Sequence, residues 1–229
     1  MSAPRGLFVT GTDTEVGKTW VSVALIAALR ARGLSVAAMK PIASGGERDA
    51  AGRLVNEDAL ALQAAIGGTL DYAQINPYVF EPPIAPHLAA AEAGVALSLE
   101  RLAAQAQDLA AGADIVVVEG VGGWAVPLDE RHSVADLARA LGWPVVLVVG
   151  LRLGCLNHAL LTAQAIEAAG LSLAGWVANA IDPGFERVEA NLGTLRARLA
   201  APLLGHLPHA PGAAPGELGA YLQLDALPI

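Results

Sequence analysis

Near the start of the chain, Gly11-Thr12-Asp13-Thr14-Glu15-Val16-Gly17-Lys18-Thr19 has the residue types needed to hold a phosphate chain. A glycine-bounded loop ending in Gly-Lys-Thr can aim its backbone N–H groups, and those of a following helix, at one anion. Lys18 then reaches the terminal phosphates, and the Thr19 hydroxyl takes a divalent cation. Five residues separate Gly11 from Gly17 where the general motif has four, so Thr12 stands where the first glycine is expected. The bland alternative is an ordinary glycine-rich turn before a helix.

Two further residues suit the same chemistry. Glu119 ends the apolar run Ile115-Val116-Val117-Val118 and precedes Gly120-Val121-Gly122-Gly123. An acid at the end of a hydrophobic strand is a common way for a nucleotide-binding sheet to hold Mg²⁺, which wants hard oxygen ligands. Thr19, Glu119 and Asp58 could supply three, although Asp58 also suits the first turn of a helix for its dipole alone. Lys40 ends a second apolar run, before Pro41. It is either an exposed strand end or a second cation beside the phosphates. In the latter role it would stabilise transition-state charge and lower the pKa of a nearby amine.

These residues must be carried by strands and helices that bring them together. Leu7–Val9 reads as a strand and Trp20 to Arg32 as a helix, the context a phosphate loop requires. Strands follow at Leu34–Lys40, Asp114–Glu119, Pro144–Val149, Leu173–Asn179 and Pro202–Gly205. Helices are expected at Ala59–Ile66, Leu99–Ala111, Ser133–Leu141, Ala159–Ala169 and Phe185–Leu199. Residues 44–53 read as a loop, proline-rich Asn76–Pro86 as a long ordered loop, Gly120–Gly123 as a flexible loop, Gly150–His158 as a turn, and His206–Ala210 and Pro211–Gly216 as irregular. Alternating strands and helices imply one α/β domain over 1–229, a mostly parallel sheet with helices on both faces. Ligands of such sheets bind beyond the carboxyl ends of the strands, so the phosphate loop, Lys40, Glu119, Gly150-Leu151-Arg152 and Asn179 should share one rim.

Composition agrees. Of 229 residues 54% are hydrophobic and 16% charged, which suits a parallel sheet buried on both faces. The net charge of −8, without a Lys/Arg cluster, argues against nucleic acid as a partner. Cys155 is the single cysteine, so an intrachain disulfide is excluded and a reducing compartment is expected. Met1–Arg5 leads directly into a strand, and no run of about 18 apolar residues follows. A cytoplasmic protein with neither signal peptide nor membrane span is expected. The five histidines lack metal-ligand spacing and read as structural.

At this point the chain resembles the dethiobiotin synthetase family. The resemblance lies in Thr10–Thr19, Lys40-Pro41-Ile42-Ala43-Ser44-Gly45, Asn56–Leu62, Asn76-Pro77-Tyr78, Pro86-His87, Val118–Trp124, Leu153–His158 and Ala174–Asn179, in that order. The extra loop residue is a feature of that family. The resemblance implies an ATP-dependent, Mg²⁺-requiring ligase that joins 7,8-diaminononanoate and CO₂ into the cyclic urea of dethiobiotin. It implies that Glu15, Val16, Gly17, Lys18, Thr19 and Trp20 contact nucleotide, and that Thr14 and Lys18 also lie near a carbamate. Thr19, Asp58 and Glu119 would hold Mg²⁺, and Lys40 would be the catalytic lysine. Ser44 would contact the diamine, while Glu119, Gly120, Val121 and Gly122 would line the phosphate and substrate side. Asn179, with Ala180, Pro208, His209 and Ala210 beside it, would read adenine, although an acid often stands in the family where this chain has Ala180. The substrate carboxylate would reach the second subunit of a homodimer at Leu151–Asn157, including Leu153 and Asn157. Lys18→Ala and Lys40→Ala should each cut turnover by several orders of magnitude and leave the fold intact. The competing class, a switch ATPase of the partitioning or membrane-positioning type, usually carries a second lysine where Thr12-Asp13-Thr14 stand. It also tends to carry a membrane-seeking helix or a basic DNA patch, and this sequence shows neither.

Overall fold

The computed structural model describes residues 6–210 and 212–229. The expected lead-in at Met1–Arg5 and Pro211, the first residue of the expected tail, lie outside the described residues. In chain order the elements are β1 (Gly6–Gly11), α1 (Lys18–Ala31), β2 (Val36–Met39), β3 (Ile42–Ser44), β4 (Glu47–Arg48), β5 (Leu54–Val55), α2 (Glu57–Ala65), α3 (Tyr72–Ile75) and β6 (Tyr78–Phe80). They continue as α4 (Pro86–Glu92), α5 (Leu99–Gly112), β7 (Ile115–Gly123), α6 (Val134–Leu141), β8 (Val145–Gly150), α7 (Cys155–Ala168), β9 (Leu173–Asn179), α8 (Val188–Arg198) and β10 (Leu203–Leu207). A 3₁₀ helix, Pro215–Tyr221, follows.

Six strands form one parallel sheet in the order β10-β9-β8-β1-β7-β2. The β-branched runs of β7 and β8 are buried throughout their apolar length, as a sheet covered on both faces demands. Side chains alternate between two layers. Leu7, Val9, Val117, Val146 and Val177 pack with Leu25 and Ile26 of α1 and Leu62 of α2. Phe8, Val116 and Val118 pack on the other face with Leu102 of α5 and Leu137 of α6. On that same face Leu147, Val149 and Trp176 meet Leu192 and Leu195 of α8. The expected sheet with helices on both faces is therefore present.

Several local expectations need correction. Residues 44–53 are not one loop. β3 pairs in parallel with β6, and β4 pairs antiparallel with β5 around a turn in which Asp49 Oδ1 accepts the N–H groups of Ala51 and Arg53. Strands of two or three residues carry no readable period. Asn76–Pro86 contains β6 between its prolines, and Pro86 opens α4, where its missing N–H costs nothing. Gly120–Gly123 continues β7, with Gly123 in register with Gly11. Glycine is needed within this run at Gly122, which has φ 60° and where a Cβ would lie 2.8 Å from Val126 Cγ2. α7 begins at Cys155, four residues earlier than expected, because Gly154 (φ 97°) caps it. α8 begins only at Val188, β10 runs on through His206 and Leu207, and the tail holds the 3₁₀ helix.

Candidate active site

The phosphate loop leaves β1 and enters α1 through Gly17, which caps the helix with φ 82°. Glu15 also has positive φ, 58°, a conformation that persists in a non-glycine residue only when its surroundings hold it. Part of that support comes from β9, whose last residue, Asn179, donates from Nδ2 to the Val16 carbonyl at 2.9 Å. A Cβ on Gly17 would stand 2.1 Å from that Nδ2. Gly17→Ala therefore collides with Asn179 and strains the backbone together. It is expected to weaken nucleotide binding about a hundredfold, read by titration with a fluorescent ATP analogue. Binding within a few-fold of normal would show that this packing is dispensable.

Around the loop the structure gathers Lys18, Thr19, Lys40, Asp58 and Glu119. Lys40 follows β2, and its ammonium is saturated: Nζ donates to Glu119 Oε1 at 2.5 Å, to Asp58 Oδ2 at 3.0 Å and to the Gly120 carbonyl at 3.4 Å. Its backbone is fixed too, since Lys40 N–H donates to the Ile75 carbonyl and Asn76 Nδ2 donates to the Lys40 carbonyl. Asp58 is presented by α2, whose first turn Asn56 caps by accepting the Asp58 and Ala59 N–H groups. The Thr19 hydroxyl donates to Glu119 Oε1 at 2.8 Å. Lys18 Nζ donates to the Asp13 carbonyl at 3.0 Å.

Burial and neighbouring charge set the protonation of this cluster. Burial disfavours the Lys40 ammonium, but Glu119 and Asp58 outweigh that cost and raise its pKa. Burial likewise works against the Asp58 carboxylate, but Lys40 overrides it and holds the pKa below the usual range. Lys18 has no acid in direct contact among the described residues. Burial first, and then the Lys40 charge, bring its pKa down to about 8. A lysine penalised in this way opposes folding below pH 8. That cost is relieved as pH rises from 8 toward 10.5, and Lys40 contributes the opposite change only above 10.5. The unfolding free energy of the ligand-free protein, from urea titration, is therefore expected to gain up to a few kcal/mol between pH 7.5 and 9.5 relative to Lys18→Met. Parallel pH profiles for the two proteins would refute this.

The donor set fits a hard divalent cation. Glu119 is fully buried, and its Oε2 has no hydrogen-bond partner among the described residues; Asp58 and the Thr19 hydroxyl stand beside it. Among the described residues no group of three or more His, Cys, Asp or Glu side chains could hold a metal, so phosphate and water oxygens would have to complete the shell.

The other expected residues divide by location. Thr14 and Glu15 are exposed at the mouth, and Thr14 Oγ1 would lie 3.6 Å from a Cβ on Gly122. Val16 is buried, and Trp20 is partly exposed on α1. Gly120, Val121 and Gly122 follow Glu119 along β7. Ser44 ends β3 with its hydroxyl oxygen buried and unpartnered among the described residues. Ala180 N–H donates to the Leu207 carbonyl, and His209 Nδ1 lies 3.2 Å from the Ala180 carbonyl. Pro208, His209 and Ala210 thus lie next to Asn179. Leu153 and Asn157 are exposed around the start of α7, Leu153 with 93% of its surface accessible.

Sequence reasoning missed the direct pairing of Lys40 with both acids. The signal was available, since an acid following four buried apolar residues requires a buried cation. It also missed Asn76, which joins the Tyr72 hydroxyl to the Lys40 backbone, and the ion pair between Asp13 and Arg152.

The profile of a family described as an AAA domain matches residues 5–215. The ATP-dependent dethiobiotin synthetase BioD of Aromatoleum aromaticum is 53% identical over 98% of this chain and 99% of its own length. The protein of the same name from Pseudomonas paraeruginosa is 57% identical over 97% of each. The chain belongs to the dethiobiotin synthetase family. Family membership extends over nearly the whole sequence, so it includes every rim residue described above. Solved structures similar to it include the septum site-determining protein MinD of Pyrococcus horikoshii, bound to Mg-ADP. That structure has TM-score 0.53 and 18% identity, with 97% of this chain and 88% of that one covered. The cell division ATPase MinD of Pyrococcus furiosus has TM-score 0.54 and 19% identity, with 98% and 89% covered. At those identities the likeness shows a shared phosphate-loop NTPase fold and nothing of function.

Proposed function

We propose that this chain closes the ureido ring of dethiobiotin from 7,8-diaminononanoate, CO₂ and ATP, releasing ADP and phosphate. The observation that carries the reading is the meeting of Lys18, Lys40, Thr19, Asp58 and Glu119 on one rim in a chain of this family. One substrate amine, kept uncharged beside two ammonium groups, adds to CO₂ to form a carbamate and loses a proton. The carbamate oxygen attacks the γ-phosphorus of ATP, the bond to the β-γ bridging oxygen breaks, and ADP leaves. The second amine then attacks the carbonyl carbon of the mixed anhydride. The ring closes, phosphate departs and the amine proton is lost.

The phosphoryl step needs alignment and charge neutralisation more than covalent help. Lys18 and the loop N–H groups hold the phosphates, and Lys40 meets the negative charge that builds at the carbamate. Thr14 and Ser44 orient the substrate, with Gly122 leaving room for it. Asn179, Ala180, Pro208, His209 and Ala210 form the base side. Thr19, Asp58 and Glu119 would hold Mg²⁺, which neutralises phosphate charge when bound.

The reading extends to the whole molecule: one domain over 1–229, a cytoplasmic location, and a homodimer in which Leu153 and Asn157 of one subunit meet the substrate carboxylate in the other. Supporting it, no helix among the described residues is long and apolar enough to cross a membrane, and Leu153 offers an exposed apolar side chain at the start of α7. Purified protein given MgATP, bicarbonate and 7,8-diaminononanoate should release phosphate and form the cyclic urea in equal amounts. No product at saturating substrates would reject the assignment.

A further inference from the structure

Asp13 has no role assigned above and Arg152 appears only as a member of the rim and of the Leu151–Asn157 segment, yet Asp13 is the point where the phosphate loop is tied down. Its Oδ1 accepts the Thr14 N–H at 2.8 Å, its Oδ2 is paired with the Arg152 guanidinium, and its backbone carbonyl accepts Lys18 Nζ at 3.0 Å. Arg152 comes from the segment after β8, and its backbone is fixed on both sides. Leu151, buried, donates its N–H to the Asn179 carbonyl at 2.8 Å, and the Cys155 N–H donates to the Arg152 carbonyl at 3.0 Å. The loop itself is joined to the same strand, since the Thr12 N–H donates to the Val148 carbonyl. We infer that Arg152 and Asp13 form a positioning pair, through which β8 sets the carbonyl that carries the Lys18 ammonium and cancels a carboxylate at the mouth of a polyphosphate site.

The physical argument rests on what the pair does not do. Both side chains are about two-fifths to one-half exposed, 38% for Arg152 and 47% for Asp13, and ion pairs so exposed add little to folding. The Asp13 carboxylate nevertheless stands one side chain away from where a triphosphate would place several negative charges. Left unpaired it would repel them, and its freed side chain would no longer define the turn at Asp13-Thr14. Arginine suits the task because it stays charged at any working pH.

The inference rests on the chain's use of ATP and not on the identity of the amine, so the test reads nucleotide directly. MgATP binding to the full chain is measured by calorimetry without diamine, alongside steady-state kinetics. Arg152→Gln is expected to weaken binding about tenfold and to raise the KM for ATP. Arg152→Lys should recover most of the loss. Asp13→Asn combined with Arg152→Gln should bind more tightly than Arg152→Gln alone, and melting temperatures should stay together. Wild-type ATP affinity in Arg152→Gln would overturn the pairing role, as would an equal loss from Arg152→Gln whether or not Asp13→Asn is present. Failure of the unaltered protein to make a cyclic urea would reject the proposed reaction and leave the nucleotide result standing.

Discussion

Lys40→Met is expected to lose both activity and stability, with turnover down about a thousandfold and folding free energy reduced by about 3–5 kcal/mol. Methionine fills the space but supplies no proton donor. Glu119, fully buried, would lose its ammonium partner and be left with the Thr19 hydroxyl on Oε1, and Asp58 would lose the same ammonium. An uncompensated buried carboxylate must either stay charged at great cost or take up a proton. This departs from the expectation, drawn from sequence, that removing Lys40 leaves the fold intact; the buried ion pair is the reason. Adding Glu119→Gln to Lys40→Met should restore much of the urea midpoint and none of the turnover. If Lys40→Met unfolds at the same urea concentration as the unaltered protein, the pair is not what keeps Glu119 in the sheet.

Lys18→Ala should behave differently. Turnover is expected to fall about a thousandfold or more, equivalent to about 4 kcal/mol of lost transition-state stabilisation. The melting temperature should hold or rise. Among the described residues Lys18 Nζ donates to the Asp13 carbonyl and is paired with no acid, so its removal strands none. Its charge is held against burial and against Lys40, with a pKa near 8, so the ligand-free fold is relieved when it goes. Phosphate release and thermal melting on one preparation decide both points. A near-normal rate would remove Lys18 from the phosphoryl step.

Much of this site could be read from the chain because parallel sheets obey a simple rule. Each central strand is an unbroken apolar run, and the residue that ends it lies on the ligand rim. Glu119 and Asn179 each follow or close such a run, and Lys40 follows one by a single residue. The phosphate loop was legible from Gly17-Lys18-Thr19 together with the strand before it and the helix after it. What escaped notice was which residues pair with which across space. Two-residue β4 and β5 exist only because they pair with each other. The pairing of Lys40 with two acids joins residues 18 and 79 positions apart. Arg152 meets Asp13 across 139 residues, and neither residue type at either place signals the other. Gly120–Gly123 was misread for another reason. Glycine usually marks freedom, and here, at Gly122, it marks a left-handed backbone crowded against Val126.

The order β10-β9-β8-β1-β7-β2 puts the earliest strand in the middle, between two neighbours encoded far downstream. Gly6 pairs with Val116, and Phe8 with Val145. During synthesis at roughly 5–20 residues per second, the β1 edges therefore wait on the order of 5–20 s for β7 to leave the ribosome, and longer for β8. Over that interval an apolar ribbon with open hydrogen-bonding edges sits in a half-made chain, poised to pair with the wrong neighbour. The same non-local closure slows refolding from denaturant. Chaperone supply during synthesis is therefore expected to raise the folded yield, as soluble protein with and without added chaperone would read.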